Sequence, residues 1–180
     1  MVKIEERLGT ALRERKLRLA VAESCTGGLI ASRVTDVPGS SDYFMAGMVT
    51  YSNEAKEKFL GVSPESIRTH GAVSREVAGQ MAQGIRRETG ADIGLAVTGI
   101  AGPTGGSPEK PVGLVYIGAA SAQGTFVRRF QFAGSRLEIK AQTADAALQL
   151  GIDLLEGDLL EGDLIEGNFI EGNFIEGRRS

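Results

Sequence analysis

The stretch Leu19-Ala-Val-Ala-Glu-Ser-Cys-Thr-Gly-Gly-Leu-Ile-Ala-Ser-Arg-Val-Thr35 decides the reading of the fold. Leu19 to Glu23 is a short, mostly apolar run, which predicts a buried strand. Ser24 to Gly28 is a turn of small and polar residues. Leu29 to Thr35 then predicts a helix. A strand that passes through a small-residue turn into a helix is the opening unit of an α/β domain.

Working outward, residues 4 to 16 predict an amphipathic helix with Ile4, Leu8, Ala11 and Leu12 on one face. Tyr43 to Tyr51 predicts a strand, and Asn53 to Leu60 a helix capped by Ser52 or Asn53. Pro64 opens another short helix, and Ser74 caps a longer one that runs to about Thr89. Ile93 to Thr98 is a second buried strand, followed by the glycine-rich run from Gly99 to Ser107. Val112 to Ser121 and Thr125 to Phe132 predict a hairpin turning at Ala122-Gln123-Gly124, and Ser135 to Leu150 the last helix. The pattern predicts a three-layer α/β/α sandwich with a mixed sheet over residues 1–152.

Residues 153–180 are a different material. Five pentads run in tandem from Asp153 to Gly177: Asp-Leu-Leu-Glu-Gly twice, Asp-Leu-Ile-Glu-Gly once, and Asn-Phe-Ile-Glu-Gly twice. A period of five fits neither helix nor strand, and a glycine in every repeat weakens helix by about 1 kcal/mol per site. The expectation is a mobile, acidic C-terminal pentad-repeat tail. A packed or oligomer-forming tail is the alternative.

At 180 residues and 19.0 kDa, the chain has room for one domain with a sizeable core. Hydrophobic residues make up 42% and charged residues 24%, a globular composition. No apolar run approaches the ~20 residues of a membrane span, and the charged N-terminus reads against a secretory leader. The single cysteine, Cys25, excludes an intrachain disulfide and a cysteine-rich zinc cage. With a single histidine, His70, no metal site is expected, and the cytoplasm is the default compartment. The net charge of −3 is uneven: residues 153–180 hold three Asp, five Glu and two Arg, a net −6, which leaves +3 for the body. That suits a small anionic substrate and is too weak to argue for nucleic acid. No membrane partner is expected either.

Three segments could carry chemistry. In Ala22-Glu-Ser-Cys-Thr-Gly-Gly28 a hydroxyl sits where a strand meets a helix start, and backbone N–H groups there are unpaired. Ser24 could be a nucleophile, with Thr26, Gly27 and Gly28 giving an oxyanion hole. Equally, Ser24 or Thr26 could simply cap the helix. Cys25 is a rival nucleophile or a small buried thiol. A serine nucleophile needs a base, and two residues compete for that role. His70 lies in a loop; Lys56, in Val49-Thr-Tyr-Ser-Asn-Glu-Ala-Lys56, acts only if burial or nearby positive charge lowers its pKa. The loop Thr98-Gly-Ile-Ala-Gly-Pro-Thr-Gly-Gly-Ser107 suits a wrap around a ligand or a flexible connection. It lacks the Gly-Lys-Ser/Thr ending of a P-loop.

Together, Ala22-Glu-Ser-Cys-Thr-Gly-Gly28, Val49-Thr-Tyr-Ser-Asn-Glu-Ala-Lys56, His70-Gly-Ala-Val-Ser74, Gly99-Ile-Ala-Gly-Pro103 and Glu109-Lys-Pro-Val-Gly113 resemble the C-terminal domain of the CinA competence-damage-inducible protein family. The resemblance covers roughly residues 5–150. It implies a nicotinamide-nucleotide amidohydrolase, converting nicotinamide mononucleotide and water to nicotinic acid mononucleotide and ammonia. It implies a serine–lysine pair, which falls on Ser24 and Lys56, and a basic residue at the start of the last helix, Arg136 or next Lys140. Tyr51, Thr98, Gly99 and Gly102 join Thr26, Gly27, Gly28 and Arg136 as expected oxyanion or substrate contacts. No cofactor is implied. The expected partners are a small nucleotide substrate and further copies of the chain. A non-catalytic nucleotide-binding or interaction module of the same family is the alternative.

Overall fold

The computed structural model describes residues 2–159 and 161–165. Its element order is α1 (Ile4–Arg15), β1 (Leu19–Glu23), α2 (Leu29–Thr35), β2 (Phe44–Val49), α3 (Asn53–Leu60), α4 (Pro64–His70), α5 (Arg75–Thr89), β3 (Ile93–Gly99), β4 (Leu114–Ser121), β5 (Gly124–Gln131) and α6 (Arg136–Glu156). Short 3-10 turns lie at Ser40–Asp42 and Glu161–Asp163.

The strands form one sheet in the order β2-β1-β3-β4-β5. β1 runs parallel to both β2 and β3, with Glu23 opposite Val49 on one side and Val97 on the other. β4 and β5 are antiparallel additions, so the sheet is mixed. α1, α2 and α6 pack on one face, and α3, α4 and α5 on the other.

Strand parity sorts the core. Leu19 and Val21 face the cluster that includes Leu8, Leu12, Leu95 and Leu148. Ala20 and Ala22 face the opposite cluster, with Leu60, Val77, Met81 and Ile85. Arg33 of α2 ties the first helical layer together by ion pairs to Glu5 of α1 (2.8 Å) and Asp145 of α6 (2.7 Å).

Most boundaries fall within a residue of expectation, and three differ by more. β2 ends at Val49, not Tyr51, because the Thr50 and Tyr51 carbonyls leave the ladder to face the Lys56 amine. β4 begins at Leu114, because residues 111–114 form a turn in which Leu114 N donates to the Pro111 carbonyl (3.1 Å). The largest difference is α6. It crosses the expected boundary at residue 152 and ends at Glu156, with Gly157 as its left-handed cap. The first pentad is therefore mostly the last turn of a helix, and Leu154 is buried in the core. Residues 158, 159 and 161–165 contact the body. The expectation of a mobile tail falls, for residues 166–180, outside the described residues.

Among the described residues, no helix is long and apolar enough to cross a membrane.

Candidate active site

The parallel strands β2, β1 and β3 end at the same edge of the sheet, where the ligand crevice of open α/β sheets is found. A pocket of about 280 Å³ opens there. Ser24 enters it just past the end of β1, Lys56 from α3, Thr98 and Gly99 from the end of β3, and Arg136 from the start of α6.

Lys56 is the decisive side chain. It is only 1% exposed, and among the described residues no carboxylate pairs with it. Its Nζ lies 3.1 Å from Ser24 Oγ, 2.9 Å from the Thr50 carbonyl and 3.3 Å from the Tyr51 carbonyl. Three partners suit either charge state. A neutral amine donates twice to the carbonyls and accepts the Ser24 proton on its lone pair, whereas an ammonium donates to all three oxygens. Desolvation by burial pulls the Lys56 pKa below its ordinary value. The base competitor His70 lies outside the pocket, half-exposed, with Nδ1 3.8 Å from Glu76 Oε2.

The turn after Ser24 is built differently from its sequence expectation. The N-cap of α2 is Gly28, which has φ +100° and no side chain to offer as a cap. The acceptor comes from Glu23, which is 1% exposed. Its Oε2 accepts from Thr26 Oγ1 (2.5 Å), Gly28 N (3.0 Å) and Ile30 N (3.1 Å), and its Oε1 from Ala31 N (2.8 Å). A carboxylate at a helix N-terminus is favoured by the dipole as well as by these bonds. Gly27 N donates to the Ser24 carbonyl at 3.1 Å.

Thr26, Gly27 and Gly28 therefore do not line the pocket. Their donors at Gly27 N, Gly28 N and Thr26 Oγ1 are engaged within the protein, so these three donors are not turned to the pocket. The amide directly after the nucleophile is that of Cys25, which lines the pocket. Sequence reasoning also missed Glu23. The available signal was a glycine N-cap, which obliges a distant acceptor to serve the first-turn amides of α2.

Cys25 is buried, and desolvation pushes its thiol up to about 11. The thiol stays protonated near neutral pH, which disfavours it as a nucleophile.

The remaining expected residues fall around the mouth. Tyr51 is exposed, and its hydroxyl accepts from Arg136 Nη2 (3.1 Å), while Arg136 Nη1 donates to the Gly102 carbonyl (2.8 Å). Thr98 is buried and donates to the Ala72 carbonyl (2.8 Å), tying β3 to the loop before α5. Gly99 and Gly102 line the pocket, but the atoms that exclude a side chain lie behind them. A Cβ would meet Val115 at Gly99 and Val112 at Gly102. Lys140 lies near Gly27, with Nζ 3.7 Å from where a Cβ would stand.

A larger cavity of about 470 Å³ opens at the other end of the sheet, lined by Gln83, Arg86, Arg87 and residues 120–125. It holds no nucleophile–base pair, and Arg86 and Arg87 are occupied by Asp92, Leu60 and Glu88. Among the described residues, no group of three or more His, Cys, Asp or Glu side chains could hold a metal ion.

Fold and site together define an α/β domain with a serine–lysine pocket at the ends of its parallel strands. The family model of the CinA C-terminal domain matches residues 1–155, and the chain belongs to that family. A CinA-like protein of Geobacter sulfurreducens is 54% identical over 145 residues, 81% of this chain and 35% of that protein. One from Chlorobaculum tepidum is 54% identical over 153 residues, 82% of this chain and 36% of that protein. The chain thus spans little more than a third of these curated relatives. Two solved structures match at nearly full length. The competence/damage inducible protein CihA from Agrobacterium tumefaciens has a TM-score of 0.82 at 42% identity, covering 85% of this chain and 93% of that one. A CinA superfamily protein from Klebsiella pneumoniae has a TM-score of 0.83 at 34% identity, covering 86% and 96%.

Proposed function

We propose that this domain hydrolyses the carboxamide of nicotinamide mononucleotide, giving nicotinic acid mononucleotide and ammonia. The observation that carries the reading is the buried Lys56 amine, 3.1 Å from Ser24 Oγ and, among the described residues, without a carboxylate partner. That arrangement is a base held on a hydroxyl, the minimum for serine acyl transfer.

The steps follow from the geometry. Neutral Lys56 takes the Ser24 proton as Oγ attacks the carboxamide carbon. The oxyanion forms beside the Cys25 amide, the N–H that follows the nucleophile. The Lys56 ammonium returns the proton to the leaving nitrogen, and ammonia departs. Water, deprotonated by the same amine, attacks the acyl carbon, and the Lys56 ammonium returns that proton to Ser24 Oγ as the acid leaves. Throughout, the Thr50 and Tyr51 carbonyls keep the amine aimed at Oγ in both charge states. Arg136 and the exposed Tyr51 ring at the mouth suit the phosphate and the pyridine–ribose portion of a mononucleotide.

Ammonia release from nicotinamide mononucleotide, measured with the purified chain, tests this. Release that disappears in Ser24→Ala and Lys56→Ala supports the reading. No release despite saturable binding of the mononucleotide would favour the non-catalytic module.

A further inference from the structure

Arg128, on the edge strand β5, contacts the first position of three successive pentads. Its Nη1 pairs with the Asp153 carboxylate, its Nη2 reaches the Asp158 carbonyl (3.3 Å), and its Nε meets Asp163 Oδ2 (2.8 Å). The Arg128, Asp153 and Asp163 side chains are 20%, 15% and 9% exposed, so these are partly desolvated, charge-assisted contacts. The convergence has a local cause. Asp153 lies in the last turn of α6, Gly157 turns the chain, Asp158 N returns to the Asp153 carbonyl (2.9 Å), and Glu161–Asp163 tightens into a 3-10 turn.

Beyond that turn the chain joins the sheet. Leu164 bridges antiparallel to Phe126, and Ile165 N donates to the Thr125 carbonyl (2.9 Å). Arg75 of α5 fastens the seam, donating to the Val127 carbonyl of β5 and to the Gly162 carbonyl of the repeat. β5 is a terminal strand, and a terminal strand left bare offers unpaired backbone groups to another chain.

We propose that residues 153–159 and 161–165 form a charge-latched strap. Arg128 holds it through the leading aspartates of the first and third pentads and the Asp158 carbonyl between them, and the strap covers the β5 edge against pairing with a second copy of the chain. Asp153 and Asp163 are its two charged rungs. This role is independent of the chemistry proposed at Ser24 and Lys56.

Two variants of the full chain test it. Asp163→Lys opposes Arg128 and leaves the Asp153 pair in place. Ile165→Pro removes the N–H that joins Thr125, at a position outside α6 and the sheet core. Exchange of the Ile165 amide should be at least about tenfold faster in Asp163→Lys than in the parent chain. Cleavage after Glu161 by a glutamyl endopeptidase should accelerate to a similar degree in both variants. Sedimentation should show concentration-dependent association beyond that of the parent chain. Unchanged exchange and cleavage would overturn the latch. Faster cleavage with unchanged sedimentation would overturn the edge-guarding role.

Discussion

Replacing Glu23 by Gln isolates the charge that holds the turn beside the nucleophile. The carboxylate spreads four donors unequally: Oε2 serves the Thr26 hydroxyl and the Gly28 and Ile30 amides, and Oε1 serves the Ala31 amide. A glutamine would keep its carbonyl at the three-donor position and turn its NH2 toward Ala31 N–H. One amide then loses its acceptor, at about 1–3 kcal/mol. The α2 N-terminus also loses a favourable charge, worth about 0.3–2 kcal/mol in a partly buried setting. The sum is about 1–5 kcal/mol, or roughly 3–20 °C in melting temperature for a domain of this size. Ser24 directly follows Glu23, so turnover should fall too. Arg136 is untouched, so the mononucleotide KM should move less than kcat. Thermal melting by circular dichroism and steady-state ammonia release are the assays. A melting point within about 2 °C of the parent, with unchanged turnover, would refute the claim that this charge holds the turn.

Five further outcomes are expected. Ser24→Ala and Lys56→Ala should each lower turnover by orders of magnitude, and the double variant should be little worse, because the pair acts as one unit. The active form of Lys56 is the neutral amine, so kcat/KM should rise with pH and level off below the ordinary lysine value of about 10.4. Between the lowered folded pKa and the ordinary unfolded one, the unfolded chain binds more protons; stability should therefore rise with pH across that window, a slope that Lys56→Met should remove in denaturant melts. Cys25→Ala should keep most activity, and iodoacetamide should alkylate Cys25 at pH 8 on the order of 100-fold more slowly than an ordinary thiol, because two units of raised pKa deplete the thiolate. Arg136→Ala should narrow the rate gap between nicotinamide mononucleotide and nicotinamide riboside, and equal rates on free nicotinamide would remove the nucleotide assignment.

The sequence carried the layer pattern well because the pattern is local. The apolar run at Leu19–Glu23, the Ser52 and Ser74 caps and the Ser135 start of α6 are all readable within a few residues. Ser24 and Lys56 were legible as candidates, but nothing in the 32-residue separation brings them together. Their meeting needs β2 beside β1, so that α3 starts next to the end of β1. Glu23 was hidden by its place in an apolar run, where a carboxylate reads as the end of a strand. The pentad period argues against regular structure, and a period alone reports neither the run of α6 on to Glu156 nor the arginine, 25 to 35 residues upstream, that pairs with Asp153 and Asp163.

The two neighbours at the end of β1 divide the work by parity. Glu23 follows Leu19 and Val21 toward the α2 layer, and Ser24 turns toward the layer that holds Lys56. The consequence reaches the substrate. A free helix N-terminus after a strand would be the ready place for a phosphate, but Glu23 already puts an anion there and bonds the amides a phosphate would need. A second anion at that point would meet like charge in a buried setting. Under the proposed function, the opposite wall suits an anionic group better, where Arg136 spans Tyr51 and the Gly102 carbonyl. That wall is exposed and Ser24 is deep, so a substrate held there by its phosphate would extend its uncharged end inward. The depth ordering, charge at the rim and a neutral carbonyl at the floor, suits a nucleotide amide better than a phosphoester, whose reacting atom is the charged group itself.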